Sequence, residues 1–447
     1  MIEKLKDIAG IRVISGEEIS RDFCRDEYPG GDFAPEAVVE VYSTEDVAAV
    51  LKLCHALGVS VTVRGAGTGQ VGGSVPIKGG VVLSLKELNK ILGYANGILK
   101  VQSGVLLQDV KAEAEANGMY YPPDPAELTA TIGGNVATNA GGPCAAKYGK
   151  TGDYVADAVV VLADGSIETL RSREEFSSII GSEGTLAVIT EISLKLVEKP
   201  GADAILLFPF VDIEAALEGA KAILASGYEP AIVELMDTDI VDFSGKVTGD
   251  PVFPVEMYGE RVGFTLMVTI EGTDDDDVME KMEAIANLAE EGKMEPLDIL
   301  VGDSITLKRE FWAAHDAFHT SMESGAKSAY EVNIDLPMDA VPEMIEFAKN
   351  AAEANDLKAY IYSHLASGGT HIHIASEKNR EDSRSDAKLF FDAAYVKCAE
   401  LGGDIAGEYG VGYAKVEYIS EEVRANHSAV KAALDPKGIL NPGKILG

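Results

Sequence analysis

The sequence has 447 residues, of which 46% are apolar and 25% are charged, and its formal net charge is −35. This length and composition are typical of a globular protein with two or three domains. The negative charge disfavours nucleic acid and anionic membranes as partners, and it indicates either a solvated acidic surface or a basic protein partner. The polar N-terminus and the lack of any run of eighteen apolar residues predict a cytoplasmic protein with no membrane span.

Strand and helix patterns alternate in residues 1–199, which we predict to be the first domain. An apolar period typical of a helix covers 45–57, with Thr44 as the expected N-cap and Gly58 just past the end. The other elements predicted here are a strand over 80–85, a helix that ends at Gly118, a hairpin that turns at Asp164-Gly165, and strands over 184–199.

The composition changes after Pro200, and residues 200–403 are predicted to form a second domain, an antiparallel sheet covered by helices. The predicted strands are 204–210, 263–272, 330–336, 358–364 and 371–376, and the predicted helices are 212–226, 274–292, 339–354 and 383–401. The acidic run 274–277 fits a helix N-terminus better than a metal site. Residues 404–447 are predicted to pack back on the first domain, with loops over 402–415 and 434–447, which gives an α+β fold overall.

Two glycine-rich stretches stand out, RGAGTGQVGG at 64–73 and TIGGNVATNAGG at 131–142. Glycine leaves successive backbone amides open to a phosphate, so together the stretches indicate one large anionic cofactor. The alternative for either stretch is a set of tight turns that need positive φ. Neither stretch fits the Rossmann or P-loop pattern.

His364 and His371 lie seven residues apart around a small-residue loop, and Glu408 follows later in AGEYG. Two imidazoles and a carboxylate suit a divalent cation such as zinc, with positions left open for a substrate. Histidines at the surface or in the core are the alternative, which these residues alone leave open.

Taken together, six motifs resemble the vanillyl-alcohol-oxidase-type (PCMH-type) flavoproteins, in particular the branch of glycolate oxidase large subunits and D-lactate or D-2-hydroxyglutarate dehydrogenases. The motifs are RGAGTG at 64, YPPDP at 121, TIGGNVATNAGG at 131, KYGKTGDYV at 147, GSEGTLAVIT at 181 and NPGK at 441. The resemblance implies a two-part FAD-binding domain, a cap domain over the flavin, and a C-terminal segment that returns to it. FAD should be non-covalent, because Thr68 stands where some relatives carry a flavin-linked histidine. The residues that the resemblance assigns to FAD are Arg64, Gly65, Ala66, Gly67, Thr68, Gly69, Gln70, Pro123, Asp124, Thr131, Gly133, Gly134, Asn135, Thr138, Glu183, Gly184, Ile189 and Asn441.

The same resemblance makes His364, His371 and Glu408 metal ligands, for Zn, Fe or Mn. It implies oxidation of a 2-hydroxy acid such as D-lactate or glycolate, or of a related secondary alcohol. Such a reaction moves a hydride from C2 to the flavin while the hydroxyl loses its proton, and a bound metal lowers the pKa of that hydroxyl. A nearby base completes the proton transfer.

The sequence departs from the family at the base and at the substrate anchor. Tyr409 replaces the usual histidine after the ligand glutamate, so the base is either Tyr409 or His373, which shares strand parity with His371; a plain strand histidine is the alternative for His373. His315 replaces an arginine that binds the substrate carboxylate in relatives, and Glu331 replaces a lysine found in some. Lys308 and Arg309 either supply charge to the substrate or are surface residues of a helix.

The leading hypothesis is an FAD- and metal-dependent dehydrogenase of a 2-hydroxy acid. The four cysteines form no cluster, so the electrons need a separate acceptor, and the resemblance implies an electron-transfer flavoprotein or an iron–sulfur partner subunit. The missing base and arginine favour an alternative, a non-catalytic FAD-binding subunit of a larger oxidoreductase. The non-redox branch that makes ether lipids is a third possibility, although no lipid-tunnel feature is visible.

Overall fold

The computed structural model describes residues 1–28 and 30–446. The strands are β1 (Arg12–Ser15), β2 (Ala37–Glu40), β3 (Val61–Arg64), β4 (Val81–Ser84), β5 (Ile91–Ala95), β6 (Ile98–Gln102), β7 (Met119–Tyr120), β8 (Val155–Val161), β9 (Ile167–Leu170), β10 (Val188–Lys195), β11 (Val197–Glu198), β12 (Ala202–Phe210), β13 (Ile232–Asp237), β14 (Glu256–Met257), β15 (Glu260–Arg261), β16 (Phe264–Gly272), β17 (Leu300–Gly302), β18 (Ser328–Asp335), β19 (Lys358–His364) and β20 (Gly369–Ser376). The α-helices are α1 (Ile2–Lys6), α2 (Thr44–Leu57), α3 (Leu107–Ala116), α4 (Ile132–Thr138), α5 (Ala145–Tyr148), α6 (Arg173–Phe176), α7 (Ile213–Ala225), α8 (Thr238–Thr248), α9 (Asp275–Glu290), α10 (Ile305–Gly325), α11 (Val341–Ala354), α12 (Arg380–Glu400) and α13 (Glu421–Leu434). Within these residues no helix has both the length and the apolar character that a membrane span requires. Helices and antiparallel sheets are mixed along the chain, which confirms the α+β class.

The chain divides into two compact units. The first unit comprises residues 1–141, 150–199 and 408–447, and the second comprises 142–149 and 200–407. The short segment 142–149 lies with the second unit because Cys144 packs there against Ala231 and Ile232.

The described part of the first unit contains two larger sheets and a two-stranded sheet of β7 and β11. One of the larger sheets has the strand order β1-β2-β4-β3, in which β2 and β3 both run parallel to β4. The other has the order β5-β6-β10-β8-β9 and is antiparallel. Its β8–β9 hairpin, with Val161 opposite Ile167, confirms the turn predicted at Asp164-Gly165.

Helix α2 begins one residue earlier than predicted. Ser43 is the N-cap, and its Oγ accepts a hydrogen bond from the backbone amide of Asp46 at 3.1 Å. The predicted cap, Thr44, is wrong; its hydroxyl lies 3.0 Å from that of Thr190 instead. The C-terminal signal was correct, since Gly58 closes the helix with φ of 66°.

The C-terminal segment contains a helix that the sequence did not reveal. Helix α13 (Glu421–Leu434) lies between the two stretches predicted as loops, 402–415 and 434–447, and overlaps them only at Leu434. The sequence analysis assigned no element to 416–433, and the helix found there buries none of its residues fully. Beyond the helix, Leu440 forms a parallel bridge with Val61 of β3, within the first unit.

The second unit is built on one sheet with the strand order β17-β12-β16-β13-β19-β20-β18. Its neighbouring strands pair antiparallel throughout, as predicted. The acidic run 274–277 is a helix N-terminus, because the Asp274 side chain caps α9 through the amide of Asp277. The sequence missed β13, which lies in the middle of the sheet beside β19 and carries one of the carboxylates of the candidate site.

Candidate flavin and metal sites

The two glycine-rich stretches meet in the first unit. The first follows directly on β3, and an added Cβ at Gly65 would lie only 2.2 Å from Oγ1 of Thr131, where the second stretch begins. Only a glycine at position 65 allows this approach. Gly67 has φ of 84°, and a Cβ there would lie 2.0 Å from the Arg64 guanidinium, which folds under the turn. Both positions therefore need glycine for a structural reason.

Residues 132–138 of the second stretch form helix α4, with Thr131 at its N-cap position. The amides of Ile132 and Gly133 donate to the carbonyls of Val105 and Ser103, at 2.8 Å each. A Cβ at Gly133 would lie 2.6 Å from the Ser103 Cβ. The two amides are thus used to dock the helix, and they are not available to a phosphate.

Several buried polar atoms near these stretches fit a polar ligand. Asn135 Nδ2, Ser103 Oγ and Lys444 Nζ have no hydrogen-bond partner among residues 1–28 and 30–446. Burial lowers the pKa of Lys444 to about 7, against the opposing effect of Asp26 and Glu183. Because buried polar groups are normally hydrogen-bonded, these atoms are consistent with contacts to a bound dinucleotide.

Three of the residues assigned to FAD have hydrogen bonds that hold the first unit together. The Glu183 carboxylate accepts from the amides of Val411 and Gly412 at 2.7 Å each. Asn441 accepts from the amide of Val63 at 2.9 Å and donates to the Glu183 carbonyl at 2.6 Å. Arg64 likewise donates to the Arg25 carbonyl at 2.7 Å and to Ser74 Oγ at 3.1 Å. These bonds tie the C-terminal segment to β3, and a direct role in FAD binding stays a prediction.

The other residues predicted to bind FAD also lie in the first unit, and their roles stay predictions. Ala66, Thr68, Gly69 and Gln70 form the turn after β3, and Gly134 and Thr138 belong to α4. Asp124, beside Pro123, pairs with Lys111 at 3.4 Å. Gly184 has φ of 69° next to Asn441, and Ile189 lies in β10.

In the second unit, His364 and His371 face each other across β19 and β20. Their Nε2 atoms are 3.3 Å apart. Each ring donates its Nδ1–H to a buried carboxylate, His364 to Glu234 at 2.7 Å and His371 to Glu331 at 2.7 Å. In the neutral rings this leaves a lone pair on each Nε2, so either a proton or a metal ion between the two nitrogens would stabilise their close approach. The Asn333 amide nitrogen also lies 3.3 Å from His371 Nε2.

This geometry fits a metal ion. Two nitrogens bound to one tetrahedral zinc at 2.0–2.1 Å lie about 3.3 Å apart, which is the separation that the two rings have. Histidine ligands of metals commonly donate their other N–H to a carboxylate, as both rings do here. Tyr362 stacks on His371 with ring centroids 4.4 Å apart and fixes the orientation of that ring.

The two supporting carboxylates were not predicted as site residues. Glu234 is completely buried on β13. Burial alone would raise its pKa, but His364 and His315 lower it to about 2. Burial also opposes ionisation of Glu331, whose pKa is nevertheless held well below its usual range by the histidines around it, His373 first. The signal that could have revealed Glu234 is a lone charge inside the apolar run AIVELM, because unpaired glutamates are rarely buried.

His315 and His373, predicted as catalytic, lie on the same side of this sheet. His315 Nε2 donates to Glu234 at 3.1 Å; burial lowers its pKa, but Asp316 and Glu234 outweigh that effect and raise it to about 9. His373 lies two residues from His371, as the strand parity predicted, and burial lowers its pKa to about 4. Lys308 pairs with Asp203 at 2.9 Å, so it supplies its charge there.

Glu408 and Tyr409 begin the last segment of the first unit. Glu408 is buried, and its Oε1 would lie 3.2 Å from a Cβ at Gly141, near the end of the second glycine-rich stretch. Tyr409 is half-buried. Their predicted roles, as metal ligand and as acid or base, stay predictions.

Comparison with known proteins places the chain in a family. Residues 35–171 match the FAD binding domain, and residues 199–445 match the C-terminal domain of FAD linked oxidases. The chain belongs to the FAD-linked oxidase family. The predicted FAD cofactor and the assignment as an FAD-linked oxidoreductase are therefore confirmed.

Named relatives of this FAD-linked oxidase cover nearly the whole chain. It is 39% identical to a D-lactate dehydrogenase of Anaerostipes hadrus, over 100% of this chain and 97% of the relative. It is 30% identical to the glycolate oxidase subunit GlcD of Bacillus subtilis, over 94% of this chain and 91% of the relative. The structure of p-cresol methylhydroxylase has the same fold, with a TM-score of 0.79, 16% identity, and coverage of 97% of this chain and 93% of that one. The predicted PCMH-type fold is thus confirmed.

Proposed function

We propose that this FAD-linked oxidase is a metal-assisted dehydrogenase of a D-lactate- or glycolate-like 2-hydroxy acid. The carrying observation is the pair of His364 and His371 Nε2 atoms, 3.3 Å apart, with each Nδ1 held by a buried carboxylate. The names of the relatives, a D-lactate dehydrogenase and a glycolate oxidase subunit, support the substrate class.

In this proposal the first unit binds FAD, and His364 and His371 bind a divalent metal together with Glu408. Glu408 directly follows Gly407, the last residue of the second unit. Bound FAD supplies a hydride acceptor, and a bound divalent ion supplies a Lewis acid for the substrate hydroxyl and carboxylate.

The side chains of the second unit would prepare the substrate site. Glu234 and Glu331 hold both imidazoles in the Nδ1–H tautomer, so both Nε2 atoms can bind the metal. His315 is proposed as a positioning residue, because its Nε2–H donates a hydrogen bond to the Glu234 carboxylate, which in turn holds His364. Tyr409 is the proposed acceptor of the hydroxyl proton, as a phenolate that the positive charge of the metal would stabilise, and His373 Nε2 is the other candidate.

A separate protein is the proposed electron acceptor. Cys54, Cys144 and Cys398 are buried and Cys24 is partly buried. The four cysteines lie far apart in the sequence and no two form a CxxC motif, which disfavours a cysteine-bound iron–sulfur cluster. That the relative GlcD is named a subunit supports an acceptor in another chain.

Anaerobic reduction of the bound flavin tests the proposal. D-lactate, L-lactate and glycolate are added to the FAD-loaded protein, before and after removal of metal by a chelator, and the absorbance of the oxidised flavin at about 450 nm is followed. We expect at least one of these acids to bleach the flavin, and we expect chelation or His364→Ala to abolish the bleaching without loss of FAD.

His55→Ala is the matched control, because it removes an imidazole from helix α2, far from these ligands in sequence and in the other unit. Bleaching that survives complete metal removal would contradict metal assistance. A yellow protein inert to all three acids would contradict the dehydrogenase and favour the alternative, a non-catalytic FAD-binding subunit.

A further inference from the structure

A second group of ligand-type side chains lies beside the proposed metal site. His319 projects from α10, Glu331 from β18 and His373 from β20. Each offers one nitrogen or carboxylate oxygen, and these atoms all lie within 4.8 Å of one another. Glu331 and His373 come together because they are opposite each other in the antiparallel pairing of β18 and β20.

Helix α10 supplies the third side chain of the group, His319, to the two residues from the sheet. His319 Nδ1 lies 3.0 Å from Glu331 Oε2, and the rings of His319 and His373 are 5.6 Å apart. On its other side, His319 Nε2 lies 3.7 Å from Glu323, one helical turn further along α10. A carboxylate behind the imidazole is the support that metal-binding histidines usually have.

The decisive atom is His373 Nε2. His373 is only 2% exposed, and within residues 1–28 and 30–446 this nitrogen has no hydrogen-bond partner. A proton on His319 would account for the contact between His319 and Glu331, as an ordinary ion pair. It would leave His373 Nε2 without a partner, which is costly in a buried place.

The geometry points to a second divalent metal site of the zinc type, with His319, Glu331 and His373 as its ligands. Two imidazoles and one carboxylate are a common ligand set for Zn²⁺, and they leave a fourth position for water or substrate. The side chain of His319 is 34% exposed, so an ion has access to the group from solvent.

This site is separate from the proposed site of His364, His371 and Glu408, since it shares none of those ligands. The two are connected by one carboxylate, because Glu331 Oε1 accepts from His371 Nδ1 at 2.7 Å while Oε2 faces His319. With His373 bound to the second ion, Tyr409 would be the remaining candidate for the base. The proposed function does not depend on this second site, nor the site on that function.

Zinc stoichiometry tests the assignment. The FAD-loaded protein is stripped with a chelator and titrated with Zn²⁺ alone by calorimetry, and bound zinc per chain is measured by elemental analysis after gel filtration. We expect two zinc ions per wild-type chain, one in His319→Ala and one in His364→Ala. His55→Ala is the control and should keep two.

His319 is the preferred position for substitution because it is partly exposed and its loss leaves the sheet intact. His373→Gln is a second variant that keeps a polar side chain in the buried position, and it should also bind one ion. A wild-type protein whose zinc content is unchanged by His319→Ala, or that binds no zinc, would overturn the second site. A zinc ion lost in His319→Ala but kept in His364→Ala would support it while contradicting the metal site of the proposed function.

Discussion

Glu234 shows how a single buried carboxylate determines the state of its neighbours. It is completely buried, yet its pKa is lowered to about 2, because the histidines outweigh the effect of burial. Both His364 and His315 donate to it, which fixes the tautomer and orientation of both rings. The carboxylate therefore controls which nitrogen of His364 faces the proposed metal.

Replacing Glu234 by glutamine should weaken metal binding. The glutamine side chain could still accept one hydrogen bond, but its amide would meet the second imidazole with a donor where an acceptor is needed. We expect the Zn²⁺ affinity of the site that includes His364 to fall about 10- to 100-fold, with FAD content unchanged. Competition with a chelator of known affinity measures the change.

Glu218→Gln is the matched control for that experiment, because Glu218 is an exposed glutamate on α7 that pairs with Lys221. Equal zinc affinity in the wild type and in Glu234→Gln would show that the carboxylate does not orient His364 for a metal.

The second prediction concerns Asp26 and the pH dependence of the free energy of unfolding. It is buried near Arg64 and Lys444, and burial raises its pKa from 3.8 to about 6. Between pH 4 and pH 6, the Asp26 carboxyl loses its proton in the unfolded chain but keeps it in the folded protein. The contribution of Asp26 to the free energy of unfolding therefore falls as the pH rises through this range. A shift of this size corresponds to roughly 3 kcal/mol.

Asp26→Asn removes this titration. In the FAD-free protein, the unfolding free energy of Asp26→Asn minus that of the wild type should therefore be larger at pH 7 than at pH 4. Urea unfolding at the two pH values measures it, with Asp32→Asn, which removes an exposed carboxylate paired with Arg21, as the control. A difference that does not change with pH would show that Asp26 is not protonated more readily in the folded state.

Regular elements with a clear apolar period were predictable, and elements held by distant contacts were not. The hairpin at Asp164-Gly165 and the central strand β16 followed from local pattern alone. Helix α4 was missed because its glycines lower helix propensity, and the bonds that dock its first turn come from Ser103 and Val105, outside the local sequence.

The candidate metal site was predictable only in part, for the same reason. The His364 and His371 pair is visible as a short motif, and the resemblance gave it a role. The carboxylates that accept hydrogen bonds from the two histidines were not predictable in this way. Glu234, for example, is 130 residues from His364 along the chain. Only the strand order that sets β13 beside β19 brings these two together.

The docking of α4 gives a third prediction. Gly133→Ala would place a Cβ 2.6 Å from the Ser103 Cβ and 2.8 Å from the Ser103 carbonyl oxygen, and neither backbone nor Cβ can move aside without shifting the helix. We expect the purified protein to lose most of its FAD, measured as the ratio of flavin to protein absorbance.

Gly73→Ala is the control, since its Cβ would lie 3.6 Å from the nearest atom, an ordinary contact with Glu183, and its φ is not positive. Full FAD content in Gly133→Ala would show that the position of α4 is not needed for flavin binding.

The charge of the whole molecule bears on how substrate and partner reach it. A net charge of −35 surrounds the protein with a negative potential, whereas the proposed substrate is itself an anion. Inside the second unit, the histidines offset Glu234 and Glu331 locally. The local charge balance at the site and the long-range repulsion on approach are therefore separate effects, and salt distinguishes them because it screens the long-range effect first.

The last prediction follows from that screening. The Debye length falls from about 30 Å at 0.01 M to about 8 Å at 0.15 M ionic strength, so added salt weakens the repulsion of a hydroxy acid anion. The second-order rate constant of anaerobic flavin reduction should therefore rise severalfold across this range. Stopped-flow absorbance measures it, and reoxidation of the reduced flavin by an uncharged quinone, which should not change with salt, is the control. A rate constant that falls with salt would mean that the approach to the flavin is locally positive, so that the field from the overall charge of the chain does not govern substrate encounter.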